Sequence, residues 1–247
     1  MCMDYRYTYI FLKVGYNSEM KITLIHGQNH KGSTYHIARM TTEKTGREIK
    51  EFFIPGDFNE SCLGCYSCLD KGRDHCPHSV QVGVIIEAIL NSDLIVIGSP
   101  TYVMEMTGQL KSFFDHLFTM WLPHRPEKAM FTKTAIVVST AAGTGMNGVT
   151  KSMARQLFYL GIPKVYRISE RVAAASWNEV KRKNLIEAKV HKIAGKIIAR
   201  NGKASPGIKL KLMFCIMRLM HKKSSWSSLD KDHWEKMGWL GKGRPWK

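Results

Sequence analysis

The sequence predicts an α/β fold: a doubly wound, five-stranded parallel sheet followed by a helical, basic C-terminal extension. Two observations predict it. Short apolar runs alternate five times with stretches whose apolar residues recur at helical spacing, and strands so separated need crossovers and a parallel sheet. Two of the runs, residues 94–98 and 134–139, are almost continuously apolar, as expected of strands covered on both faces.

Each element follows in chain order. Residues 21–26 (Lys-Ile-Thr-Leu-Ile-His) form the first strand, and 27–34 a glycine-bearing loop that opens a helix running to Met40. Residues 48–54 form the second strand, stopped by Pro55-Gly56. A cysteine-rich loop precedes a helix over 80–90, and 94–98 is the third strand. Residues 108–118 carry Leu110, Phe113, Phe114 and Leu117 on one helical stripe. The fourth strand is 134–139, the next helix 149–160, the fifth strand 164–168, and a long helix spans 177–200. Five strands connected this way suit the flavodoxin-like order 2-1-3-4-5. Residues 1–19, with Tyr5, Tyr7 and Tyr9 alternating, read as an N-terminal appendage, with Met20 as an alternative start. Residues 20–200 form the main domain, and beyond a flexible break at 201–207 lies a basic, Trp-rich extension to 247.

Composition narrows the class. The 247 residues are 44% apolar and 23% charged, which excludes a disordered chain. No apolar run approaches the roughly 20 residues of a membrane-spanning helix; 210–220 is broken by Lys211 and Arg218. The first twenty residues lack a secretory signal pattern. Six cysteines in that setting indicate a reducing, cytoplasmic compartment, where clustered thiols bind metal or do redox work; Cys2 and Cys215 stand apart and read as inert. The net charge of +17 is concentrated: residues 181–247 hold 18 Lys and Arg against four Asp and Glu. Such a tail attracts phosphates or acidic partners without naming one. Its apolar stretch 207–223, followed by Trp226, Trp234, Trp239 and Trp246, predicts an amphipathic helix packed on its own chain or on a neighbouring subunit of a homo-oligomer. A membrane surface is the second reading and nucleic acid the third, because no recognition motif accompanies the charge.

Three loops carry the chemistry of a ligand site. The first is Gly27-Gln-Asn-His-Lys-Gly-Ser-Thr34. Its position at a helix start offers backbone N–H groups and a positive dipole end to a phosphate, with hydroxyls from Ser33 and Thr34 and close backbone approach at Gly32; His26 and His30 lie beside it. A plain capped helix start is the alternative. The second loop runs from Gly98-Ser-Pro-Thr-Tyr102 through Met104 to Lys111, and its Tyr102 and Met104 suit packing on a flat ring; an ordinary turn with Tyr102 in the core is the alternative. The third, Thr140-Ala-Ala-Gly-Thr-Gly145, is small enough to admit a planar ring or its polar edge. Loops that converge at a switch point of a parallel sheet make a ligand crevice.

The first loop, the segment Gly98-Ser-Pro-Thr-Tyr102 with Thr107-Gly-Gln-Leu-Lys111 and Asp115, and the small-residue loop after the fourth strand together resemble the NAD(P)H-dependent FMN reductase family of flavodoxin-like proteins. The resemblance covers about residues 20–200. It implies FMN as cofactor and NAD(P)H as co-substrate, and makes 20–200 an FMN-binding domain. Gln28, His30, Gly32, Ser33 and Thr34 would hold the phosphate. Pro100, Thr101, Tyr102, Val103, Met104, Thr140, Ala141, Ala142, Gly143 and Gly145 would hold the isoalloxazine. Where many relatives read Gly-Ser-Pro-Arg, this chain has His26-Gly-Gln-Asn29, so phosphate contacts would come from backbone rather than from arginine. No nucleophile–base–acid set stands out, as expected where a cofactor carries the reaction.

The densest local signal is Cys62-Leu-Gly-Cys65-Tyr-Ser-Cys68 followed by Cys76-Pro77. Four thiolates so spaced can hold a [4Fe–4S] cluster, and the pattern is similar to the compact cysteine motif of the iron-sulfur flavoproteins, a branch of the same family. Zinc on these cysteines, or with His75 or His78 recruited, is one alternative; reduced thiols lining a subunit contact are the other. His116 reads as a boundary residue. The leading expectation is an NAD(P)H-dependent flavoprotein oxidoreductase that passes electrons to a small acceptor such as a quinone, nitro compound or flavin, with a ferredoxin-like partner if the cluster is present. The rival is a non-enzymatic electron carrier that docks through its basic tail.

Overall fold

Five strands, β1 (Lys21–His26), β2 (Glu48–Phe53), β3 (Leu94–Gly98), β4 (Thr134–Ala141) and β5 (Lys164–Arg171), form one sheet in the order β2-β1-β3-β4-β5, and every neighbouring pair is parallel. The computed structural model describes residues 20–46, 48–174, 177–224 and 227–247; the appendage 1–19, with Tyr5, Tyr7, Tyr9 and Cys2, and Trp226 lie outside them. Every residue of β3 is buried, so its uninterrupted apolar run is the sequence of a central strand. The edge strands β2 and β5 alternate exposed charge with half-buried apolar residues, which blunts pairing with other chains.

Strand alternation divides the core into two layers. Ile25, Ile95, Ile97, Ala135 and Val137 face the helices α3 (Ser79–Asn91), α4 (Gly108–His116) and α5 (Met146–Tyr159). Ile22, Leu24, Leu94, Val96, Ile136 and Val138 face α1 (Ser33–Thr45) and α6 (Lys183–Ile198). A one-turn helix, α2 (Ser67–Asp70), interrupts the cysteine-rich loop.

Several boundaries differ from the sequence reading. The first helix continues past Met40 to Thr45, because Thr41 and Thr45 return their hydroxyls to the Ile37 and Thr41 carbonyls (2.7 and 2.8 Å) and so bury in a helix interior. The fifth helix begins at Met146 rather than Val149, launched by Gly145 at φ 97°. Strands β4 and β5 run on together to Ala141 and Arg171. The helix expected over 177–200 is broken: Trp177–Glu179 is a single 3₁₀ turn whose Trp177 stacks on His36 (centroids 5.6 Å apart), and α6 starts only at Lys183. The break falls at the cationic run Lys181-Arg182-Lys183, which the positive end of a helix disfavours.

Beyond α6 the chain forms α7 (Ile208–Lys223) and α8 (Ser228–Lys236), the latter capped by the Ser227 hydroxyl on the Asp230 amide (3.2 Å). The α7 face bearing Leu210, Phe214 and Met217 builds a third apolar cluster with Trp234 and Trp239, closed by Leu122 and Phe131 of the preceding chain. Trp246 packs against this cluster. The opposite face of α7 exposes Ile208, Leu212 and Leu219. Among the described residues, no helix is long and apolar enough to cross a membrane.

Trp234 is fully buried, and its indole N–H donates to the His124 carbonyl (2.7 Å). In urea unfolding, Trp234→Phe should cost about 1–3 kcal/mol by orphaning that carbonyl, and Trp234→Ala about 3–5 kcal/mol through the cavity it leaves. Burial also holds His26, His221 and His233 below the ordinary histidine range. The folded chain keeps these rings neutral, so the unfolded chain binds more protons once the pH drops below about 6.5, and stability falls with acidification. The melting temperature should therefore decline between about pH 7.5 and about pH 5.5, measured by calorimetry in buffers of equal ionic strength.

Candidate functional site

The loops leaving β1, β3 and β4 meet at the carboxyl edge of the sheet and are tied to one another. Gly27 N–H donates to the Gly98 carbonyl (2.7 Å), and the Thr107 hydroxyl donates to the Gly27 carbonyl (2.6 Å), joining the first and second loops. A Cβ on Gly27 would lie 2.8 Å from that hydroxyl, so only glycine permits the approach. Thr101 N–H donates to the Thr140 carbonyl (2.9 Å), and the Thr101 and Ser139 hydroxyls pair at 3.0 Å, joining the second loop to β4. The buried hydroxyls of Thr34 and Thr140 pair at 2.7 Å, which closes the ring of ties from α1 back to β4.

Within this frame the first loop presents a helix start with no competing side chain. Gly32 caps α1 without a side-chain bond, and the first turn holds no acidic residue. The opening amides of a helix have no intrahelical acceptor, and a helix start of this kind can serve as an anion cradle. Thr34 is buried, Ser33 half-buried and His30 exposed; a Cβ on Gly32 would lie 2.9 Å from the His30 ring. Gln28 donates to the His30 carbonyl (2.8 Å) and accepts from the Tyr102 hydroxyl (3.1 Å), linking the phosphate-type loop to the aromatic one. His26 turns away from this cradle, bonding Glu51 at 2.8 Å and stacking on Phe53.

The second loop ends in a tight turn. Tyr102 and Glu105 exchange backbone hydrogen bonds (2.9 and 3.0 Å), and Val103 and Met104 between them both take positive φ, 49° and 68°. A β-branched residue in the left-handed region is strained, and such strain persists where surrounding structure enforces it. The turn lifts Val103 into solvent at 98% exposure, with Tyr102 and Met104 also exposed and Pro100 buried beneath. Gly145 sits against this loop: a Cβ there would lie 2.8 Å from Thr101 and 3.0 Å from Met104. Ala142 and Gly143 are exposed, and nothing lies within 4 Å of a Cβ built on Gly143. The structure thus brings Gln28, Thr34, Thr101, Tyr102, Met104, Thr140 and Gly145 into one linked edge, while His30, Val103, Ala142 and Gly143 stand at its rim. Ser99, Thr107 and Ser139, absent from the sequence-derived site, supply its ties. Thr107 also caps α4 by accepting from the Leu110 amide, and the other two are short hydroxyls with no sequence pattern to mark them.

The cysteine loop forms a second centre. Cys62 and Cys65 are exposed, Cys68 and Cys76 half-buried, and all four are free thiols. Hydrogen bonds from Ser67 hold the Cys65 thiol below its ordinary range. Burial pushes Cys68 up, aided by the charges of Cys76, Cys62 and Cys65. Cys62, Cys68 and Cys76 line an open cavity of about 350 Å³ with Tyr66, Phe118 and Trp121. Among the described residues, the Trp121 indole N–H is the buried side-chain donor left without an acceptor. Three thiols lining one cavity with a fourth on the same loop, beside an orphaned donor, fit a cationic group that carries acceptors of its own. A second donor set overlaps the first. Cys76, His78 and His116 hold their ligand atoms within 4.8 Å of one another. His116 Nδ1–H donates to the Ser112 carbonyl (2.7 Å), which leaves Nε2 to accept from His78 Nδ1–H (2.9 Å). His116 is therefore part of this centre as well as of the α4 boundary.

Residues 20–179 match the family model described as NADPH-dependent FMN reductase. The chain is 31% identical over 144 residues to an iron-sulfur flavoprotein of Clostridioides difficile, across 54% of this chain and 61% of that protein. It is 29% identical over 99 residues to an iron-sulfur flavoprotein of Archaeoglobus fulgidus, across 39% and 48%. The match thus spans about half the length of these curated relatives. An NAD(P)H:quinone oxidoreductase from Methanothermobacter marburgensis shares the fold at TM-score 0.52 and 13% identity, over 72% of this chain and 98% of that one. The apo form of an NADH:FMN oxidoreductase does so at 0.51 and 15%, over 73% and 89%. The family match runs from the start of β1 to the turn before α6 and so contains all three crevice loops and the cysteine loop; the chain belongs to the NADPH-dependent FMN reductase family.

Proposed function

We propose that the protein is an FMN-dependent oxidoreductase that takes electrons from NAD(P)H, or from a ferredoxin-like donor, and delivers them to a small acceptor of the quinone, nitro-compound or flavin class. The observation that carries this reading is the cross-tied three-loop crevice at the carboxyl edge, where the strand order reverses between β1 and β3. The amides opening α1, with Ser33 and Thr34, would hold the FMN phosphate against the positive helix end. The turn at Tyr102–Met104 and the small loop 140–145 would hold the ring system between them. Bound FMN supplies hydride and single-electron transfer. The chain's own residues orient it: Gln28 holds the Tyr102 hydroxyl, Gly145 lets Met104 and Thr101 close on the ring side, and Ala142 and Gly143 leave room for a nicotinamide or an acceptor. The same reading makes 20–200 the flavin domain and 201–247 an extension of a cytoplasmic homo-oligomer.

The cysteine centre belongs to the proposal as a [4Fe–4S] site on Cys62, Cys65, Cys68 and Cys76, which would exchange single electrons. Its support is the four grouped thiols, the adjoining cavity with its orphaned Trp121 N–H, and the name iron-sulfur flavoprotein that relatives carry.

Protein purified under argon should bind FMN, bleach on addition of NADPH or NADH, and hold about four irons per chain. A colourless protein that takes up no FMN overturns the reading. Bleaching by a protein donor alone replaces the enzyme with an electron carrier, and zinc in place of iron removes the cluster while leaving the flavin. The phosphate end has its own check. Ser33→Asp sets a carboxylate where the phosphate would lie and should weaken FMN binding about 10-fold or more by fluorescence titration. Riboflavin binding and thermal stability should hold, because an acidic residue suits a helix start.

A further inference from the structure

The cysteine centre is carried by backbone with little structure of its own. Helix α2 is one turn long and buries none of its residues fully, and a helix that short is not stable alone. Its end carbonyls, Cys68 and Leu69, find their donors outside the loop. Arg125 Nη2 donates to the Cys68 carbonyl (2.6 Å) and Nη1 to the Leu69 carbonyl (3.3 Å), a planar fork over two successive acceptors. A second tie runs in parallel, from Arg73 beside the loop to Glu127 (3.2 Å).

Arg125 is gripped from behind. Its Nη1 also donates to Asp230 Oδ1, and the other carboxylate oxygen accepts from His124 Nδ1 (2.9 Å). Asp230 is 0% exposed and lies in the first turn of α8. A carboxylate buried so completely needs both partners, so Arg125 cannot swing away without stranding it. The segment around Arg125 is fastened to the same helices: the carbonyls of Pro123, His124 and Pro126 accept from His221 (3.0 Å), Trp234 (2.7 Å) and His233 (3.1 Å). The path from the extension to the cysteine loop is thus α8, Asp230, Arg125, Cys68, with a hydrogen bond at every step.

We propose that Arg125, held by the buried Asp230 carboxylate, is a positioning residue for Cys68, so that the C-terminal extension fixes one corner of the four-cysteine centre. The proposal deepens the cysteine-centre reading above and rests on it. Neither residue touches the sulfur; both act through the backbone that aims it.

The test uses full-length protein. Arg125→Met combined with Asp230→Asn removes both charges together, so that neither is left buried and unpaired; Arg125→Lys keeps a cation for Asp230 but loses the fork over two carbonyls. In metal-free protein, the rate of Cys68 alkylation by iodoacetamide, relative to exposed Cys65 in the same molecule, should rise several-fold in the double variant and less in Arg125→Lys. In anaerobically prepared protein, iron should pass to a chelator about 10-fold faster in the double variant, the usual scale for losing an outer partner of a metal ligand, with FMN content unchanged. General loosening would release FMN and raise alkylation at every cysteine alike, which overturns the proposal. So does an unchanged Cys68-to-Cys65 ratio in both variants. Wild-type protein without iron would remove the cluster reading alone, since the alkylation ratio is read without metal and still decides the role of Arg125.

Discussion

All five strands run in one direction, so the loops that leave β1, β3 and β4 emerge at one edge, and every helix that follows a strand starts there. The reversal of strand order between β1 and β3 sends α1 to one face and α3 and α4 to the other. The first loop and the second therefore part company above the sheet, and the gap between them is the crevice. The topology alone opens that crevice. What the chain adds are the ties that keep the gap at a fixed width: Thr107 to Gly27, Thr101 to Thr140, and Thr34 to Thr140. The first and last are short, buried and made by threonine hydroxyls, whose β-branched side chains have few rotamers to lose, and the middle one is a backbone bond.

The cysteine loop stands on a different support. The sheet offers it no ladder, and although Phe58 anchors the start of the loop in the main core, the cysteine stretch itself carries Leu63 and Tyr66 outward. Its one α-helix is a single turn with no fully buried residue, so the stretch from Cys62 to Cys76 has little of its own to hold its shape. Its order comes from outside, from the Arg125 fork, the Arg73–Glu127 pair and the third apolar cluster that steadies the segment around Arg125.

Much of the fold was legible because it obeys period and burial. The unbroken run 94–98 could only be a central strand, and five alternations left little freedom in topology. Element ends were less legible. The extra turn of α1 depends on threonine hydroxyls that fold back on their own helix, and sequence alone marks threonine as a weak helix former. The break before Lys183 depends on a Trp177–His36 stack across two elements. In the crevice, the glycines and the aromatic at Tyr102 announce themselves by type. Ser99 and Ser139 do not, because a serine gives no sign of which carbonyl or hydroxyl it will meet. Most hidden was the pairing of Arg125 with Asp230, 105 positions apart: one reads as a loop cation and the other as an ordinary acid beside a helix cap.

That pairing changes what the basic extension is for. Counted as charge, residues 201–247 look like a surface device for drawing in anions. Their buried members say otherwise. Phe214, Trp234 and Trp239 close an apolar cluster that needs Leu122 and Phe131 from the preceding chain, and the one acid of the extension that is wholly buried faces inward to Arg125. The lysines occupy the outer surface because the inner one is already spent on holding the segment from Leu122 to Glu127. A charge tally therefore measures mostly the solvated half of this element, while its structural effect lies with a small set of neutral rings, the buried Asp230 carboxylate and the buried Arg218, which donates to the Trp239 carbonyl.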